Sequence, residues 1–215
     1  MTNSYDICAI FISIILIVYL VKFRSIRNYQ NTIFVMLLID NAITAIAETI
    51  ESMLILNRSI RYIATEVYFL SHILVIPLLF IYIMSLVVNW YSINNILRYL
   101  ILAPSFASIV LVLINPLVDF VFTYNDSGYY ERGLGVYLIY AFAMYYFLLI
   151  VFILLRYRDI MSIVQKGVIV SSLFIIIGSA VKQIFNPDIR IEVFAISFST
   201  FSFLIRLLSI EFFAP

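Results

Sequence analysis

Seven apolar stretches, each long enough to cross a bilayer, take up most of this chain, and the short segments between them alternate between basic and acid-rich. Crossing about 30 Å of hydrocarbon takes roughly 20 mostly apolar residues. A chain of 215 residues holds seven such spans with little left over. The expectation is therefore an all-α polytopic membrane protein, one seven-helix bundle forming a single domain over residues 1–215. Composition excludes a soluble fold, because only 12% of residues are charged and 65% are hydrophobic, against roughly 25% charged in soluble domains.

The spans are expected at about residues 5–23, 32–54, 61–89, 96–114, 134–156, 167–185 and 191–210. Pro77 falls inside the third and Pro104 inside the fourth. Each leaves a backbone carbonyl that neighbouring helices must satisfy in lipid. The leader Met1 to Ser4 carries no basic residue, so no cleaved signal peptide is expected.

Loop charge orients the bundle, since Lys and Arg are retained on the cytoplasmic side. One set of loops and span ends holds Lys22, Arg24, Arg27, Arg98, Arg156, Arg158, Lys166 and Arg206; the other holds Arg58, Arg61, Arg132, Lys182 and Arg190. Eight against five places the N-terminus outside and the C-terminus inside. Trp90, Tyr91 and Tyr99 then form an inner aromatic belt, and Tyr62, Tyr68, Tyr129, Tyr130 and Tyr137 an outer one. The expected location is the plasma (inner) membrane, with the lipid bilayer as an obligatory partner. A net charge of +1 leaves no basic surface for nucleic acid.

Ionisable groups inside spans are costly and mark partners or function. Asp40, Thr44, Ala47 and Glu51 recur at helical spacing and line one face of the second span, with Asn41 and Glu48 on a neighbouring face. By depth, Asp40 is a candidate partner for Arg206 of the last span. Glu48 and Glu51 lie near the level of His72 and Lys182, and these four are candidates for an outward-facing ligand or sensing pocket. The competing reading makes the same groups packing contacts between helices.

Catalytic chemistry is tested by what the chain contains. One histidine cannot supply a zinc-protease ligand pair, and no Gly-x-Ser-x-Gly elbow presents a nucleophile. The last span has no lysine to form a retinal Schiff base. A single cysteine, Cys8, excludes an internal disulfide and a Cys-based zinc cluster. Neither enzyme activity, nor a cofactor, nor a metal is expected.

The segment after the fourth span reads NPLVDFVF, then an aromatic hairpin around an Asp-Ser-Gly turn, then YYERGLGVYLIYAFAMYYF into the fifth. It predicts a compact extracytoplasmic cap. Together with RYRDIMSIVQKGVIV and VKQIFNPDIRIEVFAISFS, the chain resembles the N-terminal seven-helix membrane sensor region of bacterial histidine kinases and diguanylate cyclases (GGDEF proteins). That resemblance implies a sensory input domain relaying a signal to a cytoplasmic output domain. It also implies structural signature roles for Asn115, Pro116, Tyr130, Gly133, Asn186 and Pro187. The chain stops at Pro215 without a kinase or cyclase, so the output is expected on a separate or fused partner, and homodimerisation is compatible with this. A small transporter and a scaffold subunit of a membrane complex remain open alternatives. The transporter is disfavoured by the lack of an internal repeat.

Overall fold

The computed structural model describes residues 3–23, 29–53, 55–88, 90–186 and 191–213, with all their side chains except those of 3, 23, 91 and 205–213. Long helices dominate: α1 (Asn3–Phe23), α2 (Tyr29–Ser52), α3 (Arg58–Ser85), α4 (Asn95–Leu113), α6 (Gly135–Arg156), α7 (Ile163–Phe185) and α8 (Glu192–Phe213). A single turn, α5 (Asn115–Val118), and a two-stranded antiparallel hairpin, β1 (Phe122–Tyr124) and β2 (Tyr130–Arg132), fill the segment between α4 and α6. The hairpin is the one departure from an all-helical chain among the described residues.

Among the described residues six helices, α1 to α4 with α6 and α7, are long and apolar enough to cross a membrane. For α8 the segment Glu192–Leu204 is apolar but shorter than a span. Burial is inverted relative to a soluble protein. Phe11, Ile15, Phe106, Phe152 and Phe174 are exposed, whereas Asp6, Asn41, Thr44, Glu48 and Ser197 are buried. Lipid accepts the exposed apolar groups, and only the bundle interior satisfies the polar ones. The chain is a multi-pass membrane protein.

Capping residues set several helix ends away from the expected boundaries. Asn57 accepts from Ser59 N and starts α3 before Arg61, and Asn94 does the same for Ile96 N at the head of α4. Ser162 and Gln165 form a reciprocal capping box that begins α7 about a turn before Gly167. At its other end α3 stops at Ser85, well short of Asn89. The chain then folds into a 3-10 turn, Trp90–Ser92. There Trp90 is buried edge-on against Phe80, at 6.5 Å between ring centres. The expected inner-belt tryptophan is thus a core residue, because the turn carries it back over the end of α3.

Helix α3 is the hub, packing against α2, α4 and α6, while α8 packs against α7, α1 and α2. It runs as one helix through the buried Pro77. The main core joins Leu37 and Leu38 of α2, Phe80 and Tyr82 of α3, Tyr146 and Ile150 of α6, and Phe203 of α8. A second core sits under the hairpin, where Phe69 and Ile73 of α3 meet Phe122, Tyr124 and Val136.

Candidate functional site

The inward face of α2 organises the polar interior. Asn41 donates to Ser197 Oγ of α8 at 2.6 Å and to Ser13 Oγ of α1 at 3.4 Å. Thr44 Oγ1 donates to Asp40 O at 2.9 Å and lies 2.9 Å from Ser71 Oγ of α3. Small hydroxyls of this kind let helices approach closely and satisfy one another across the bundle.

Next to this ladder lies the one histidine of the chain. His72 is 5% exposed and its Nε2 stands 3.4 Å from Oε1 of Glu192, itself 4% exposed, in the first turn of α8. The Tyr68 ring stacks on the imidazole at 5.4 Å with an 11° tilt. Asp40 is within electrostatic range of the same imidazole. Neither His72 Nδ1 nor Glu192 Oε2 has a hydrogen-bond partner among the described residues. Both residues line a small cavity with Ser105 and Ser108 of α4 and Tyr140 of α6; the volume open to the centre of a water molecule is about 20 Å³.

Above this point the hairpin closes the bundle. Arg61 Nε donates to Glu51 O at 2.8 Å, Nη1 donates to Gly128 O at 2.9 Å, and Nη2 lies 3.8 Å from Glu51 Oε1. Tyr124 OH donates to Glu51 Oε1 at 3.2 Å and meets Thr65 Oγ1 at 2.8 Å, while the Arg61 guanidinium sits over its ring at 5.1 Å. Burial pushes the Tyr124 phenol up to about 12, outweighing the hydrogen bond with Thr65. Arg58 donates to Tyr124 O at 2.6 Å, and Arg132 reaches Gln183 O of α7 at 3.2 Å. An aromatic stack of Tyr62, Phe69, Phe122 and Tyr130 floors the cap.

Asn115 holds this cap together. Fully buried, it accepts from Val121 N at 2.6 Å and Phe122 N at 3.2 Å, and donates to Phe122 O at 2.9 Å and Tyr62 OH at 3.2 Å. Pro116 follows in the first turn of α5, where a missing N–H costs nothing. Gly133 packs so tightly that a Cβ would lie 2.1 Å from Phe120 O. In the turn, Gly128 adopts φ +78°, a conformation that favours glycine. Asn186 is exposed and ends α7 through its N–H to Lys182 O.

The four pocket candidates divide. Glu48, Glu51 and His72 are all buried, but Glu51 belongs to the Arg61 clamp and His72 to Glu192. Lys182 is exposed on α7 and does not join them. It occupies the outward side of α7, whereas Gln183, the next residue, is the buried one. The cation inside the cluster under the hairpin is Arg61, a residue that sequence reading places at the head of the third span and counts as topological charge. Glu192, the partner of His72, is the second residue that sequence reading misses. Its one legible signal is position, because it stands a residue inside the last apolar stretch. Pro187 and the side chain of Arg206, and with it the pairing to Asp40, lie outside the described residues. Among the described residues no group of three or more His, Cys, Asp or Glu is arranged to hold a metal ion. No protein-family model, no curated protein and no solved structure matches the chain.

Proposed function

We propose that the chain is a membrane-embedded sensory input unit of seven spans, with its N-terminus outside and its C-terminus in the cytoplasm. It relays a signal through α8 to a cytoplasmic output domain or partner protein, of the histidine kinase or diguanylate cyclase type, at the plasma membrane. The observation that carries this reading is the buried contact between Glu192, in the first turn of α8, and His72 at the middle of α3. It ties the last helix to the hub of the bundle through a charge-bearing pair. A packed interior has discrete arrangements, so changing such a pair repositions a helix in steps. The seventh span is α8 itself, whose helix runs to Phe213.

The cap suits an input role. It is clipped to α2, α3 and α7 at one end of the bundle, so an extracellular perturbation there reaches the helices directly. A ligand shifts the bundle only by as much as its affinity differs between the two arrangements.

The test begins with thermal-shift screening of the full chain in lipid against metabolites, peptides and lipids. A ligand at a hundred times its Kd raises stability by about 2.7 kcal/mol. Spin labels at the C-terminal ends of α3 and α8 then report the distance between them with and without the ligand. A distance change without uptake of labelled ligand into proteoliposomes supports the sensor. Uptake favours a small transporter. Stoichiometric co-purification with a membrane complex and no ligand effect favours a scaffold subunit.

A further inference from the structure

Two buried polar atoms beside one cavity call for a ligand that donates and accepts hydrogen bonds. His72 Nδ1 and Glu192 Oε2 lack partners among the described residues, on side chains 5% and 4% exposed, and both residues line the cavity of about 20 Å³ between α3, α4, α6 and α8. That volume suits one water molecule, which needs about 10–15 Å³ on this measure and two to four polar partners. Ser105 and Ser108 already donate or share their hydroxyl hydrogens with Tyr146 OH and Pro104 O, which leaves the imidazole and the carboxylate to hold the guest.

We propose that His72 and Glu192, with the cavity beside them, form a proton-binding site in which one water molecule exchanges the proton with the imidazole. In one state the neutral ring directs Nε2–H at Glu192 Oε1, and Nδ1 is a bare acceptor facing the guest. In the other, a proton transferred from hydronium to Nδ1 leaves neutral water behind and yields an imidazolium paired with the carboxylate. The site gains one positive charge and no bond to carbon changes. Among the described residues, the groups around the ring are Asp40 from α2, Glu192 from α8, Tyr140 and Tyr146 from α6, the stacked Tyr68 of α3 itself and the serines of α4; Glu48 of α2 and Arg132 of β2 are within electrostatic range of Tyr140. The two charged groups that act on the imidazole itself, Asp40 and Glu192, are both acidic and give an imidazolium its counter-charges.

Protonation therefore changes the strength of the charged contact between α3 and the start of α8. The hairpin core above, with Phe69 and Ile73 against Phe122, separates this site from the outer surface. Ten residues of α3 between Tyr62 and His72 correspond to about 15 Å of depth. As a regulatory input this deepens the sensory reading and depends on it, but proton binding itself does not.

The chain has a single histidine, so ¹⁵N-histidine labelling of the full chain in lipid vesicles reports this site alone. Across about pH 5 to about pH 9, magnetic resonance is expected to show the ring nitrogens changing protonation state in one transition. Glu192→Gln moves its midpoint by about one pH unit or more, as loss of a charge in contact does. A ring that keeps one state throughout, or a midpoint unmoved in folded Glu192→Gln, overturns the proposal. Infrared spectra of the unaltered chain give a second readout independent of that variant's folding. Imidazole bands that change with pH support the site, and imidazole bands indifferent to pH overturn it. A negative result here leaves the α3–α8 distance test of the sensor untouched, so the two failures are distinguishable.

Discussion

Replacing Asn115 by alanine removes four hydrogen bonds at a fully buried position. Three of the abandoned groups are backbone: the N–H of Val121, the N–H of Phe122 and the C=O of Phe122. Both residues are 0% exposed, so water cannot replace the lost partners without opening the cap. Leaving a buried donor or acceptor unmade costs about 1–3 kcal/mol. The expected destabilisation is accordingly about 3–6 kcal/mol, taking the weaker bonds at the low end. Because three of the four contacts lie within the α4–α6 segment and the fourth joins it to Tyr62 of α3, the loss falls first on local opening of the cap. Hydrogen exchange in nanodiscs reads this at the Gly133 and Gly135 amides, which donate at 2.8 Å to Val121 O and Phe120 O. About 3 kcal/mol accelerates their exchange by roughly a hundredfold, at a decade per 1.4 kcal/mol. Amides in α7, such as that of Leu173, serve as the internal reference and are expected to hold their rates. If Gly133 and Gly135 exchange less than about threefold faster in Asn115→Ala, the clamp role assigned to this side chain is wrong.

Gly133→Ala drives a Cβ into Phe120 O and is expected to destabilise the protein by about 2 kcal/mol or more. Gly178→Ala, with nothing within 4 Å, gains up to about 1 kcal/mol of helix propensity; thermal unfolding compares the two, and equal effects would refute the steric argument. Arg61→Met or Glu51→Gln alone breaks a buried pair and costs about 3–5 kcal/mol. The double variant is expected to cost clearly less than the sum, and strict additivity in a double-mutant cycle would dissolve the pair. Tyr124 has its folded pKa raised from 10.0 to about 12, so the folded state holds the phenol proton more tightly than the unfolded chain. This contribution is complete below about pH 10 and falls by about 2–3 kcal/mol as pH rises towards 12. Tyr124→Phe should flatten the stability curve in that window, and an unchanged slope would contradict the assignment.

The inward polar face of α2 was legible because spacing alone puts Asp40, Thr44 and Glu51 on one side of a helix, and all three are buried. The hairpin turn was legible for a similar reason, since Asp126, Ser127 and Gly128 permit few conformations and Gly128 takes the left-handed one. Partners were not legible. The pairing of His72 with Glu192 joins positions 120 residues apart, and no local pattern reports which helices become neighbours. Depth misled for Lys182, because a level in the membrane specifies height along a helix but not the direction in which a side chain faces. Arg61 was read as topological charge for the complementary reason. At the head of the third span it looks like an interfacial charge until the hairpin folds down and buries it under Gly128 and Tyr124.

What the sequence determined by itself is the material of the bundle: apolar stretches that lipid forces into helices, since every backbone group in hydrocarbon must be satisfied within its own segment. Their polar faces and the turn that caps them follow from residue spacing and the conformational freedom of glycine. The tertiary structure alone decided that α3 is the hub, that Asn115 and Arg61 fasten the cap, and that Glu192 meets His72. Each of these depends on side chains from distant segments converging within hydrogen-bond range. The energy of such contacts lies in geometry between helices, which a periodic pattern along one helix does not encode.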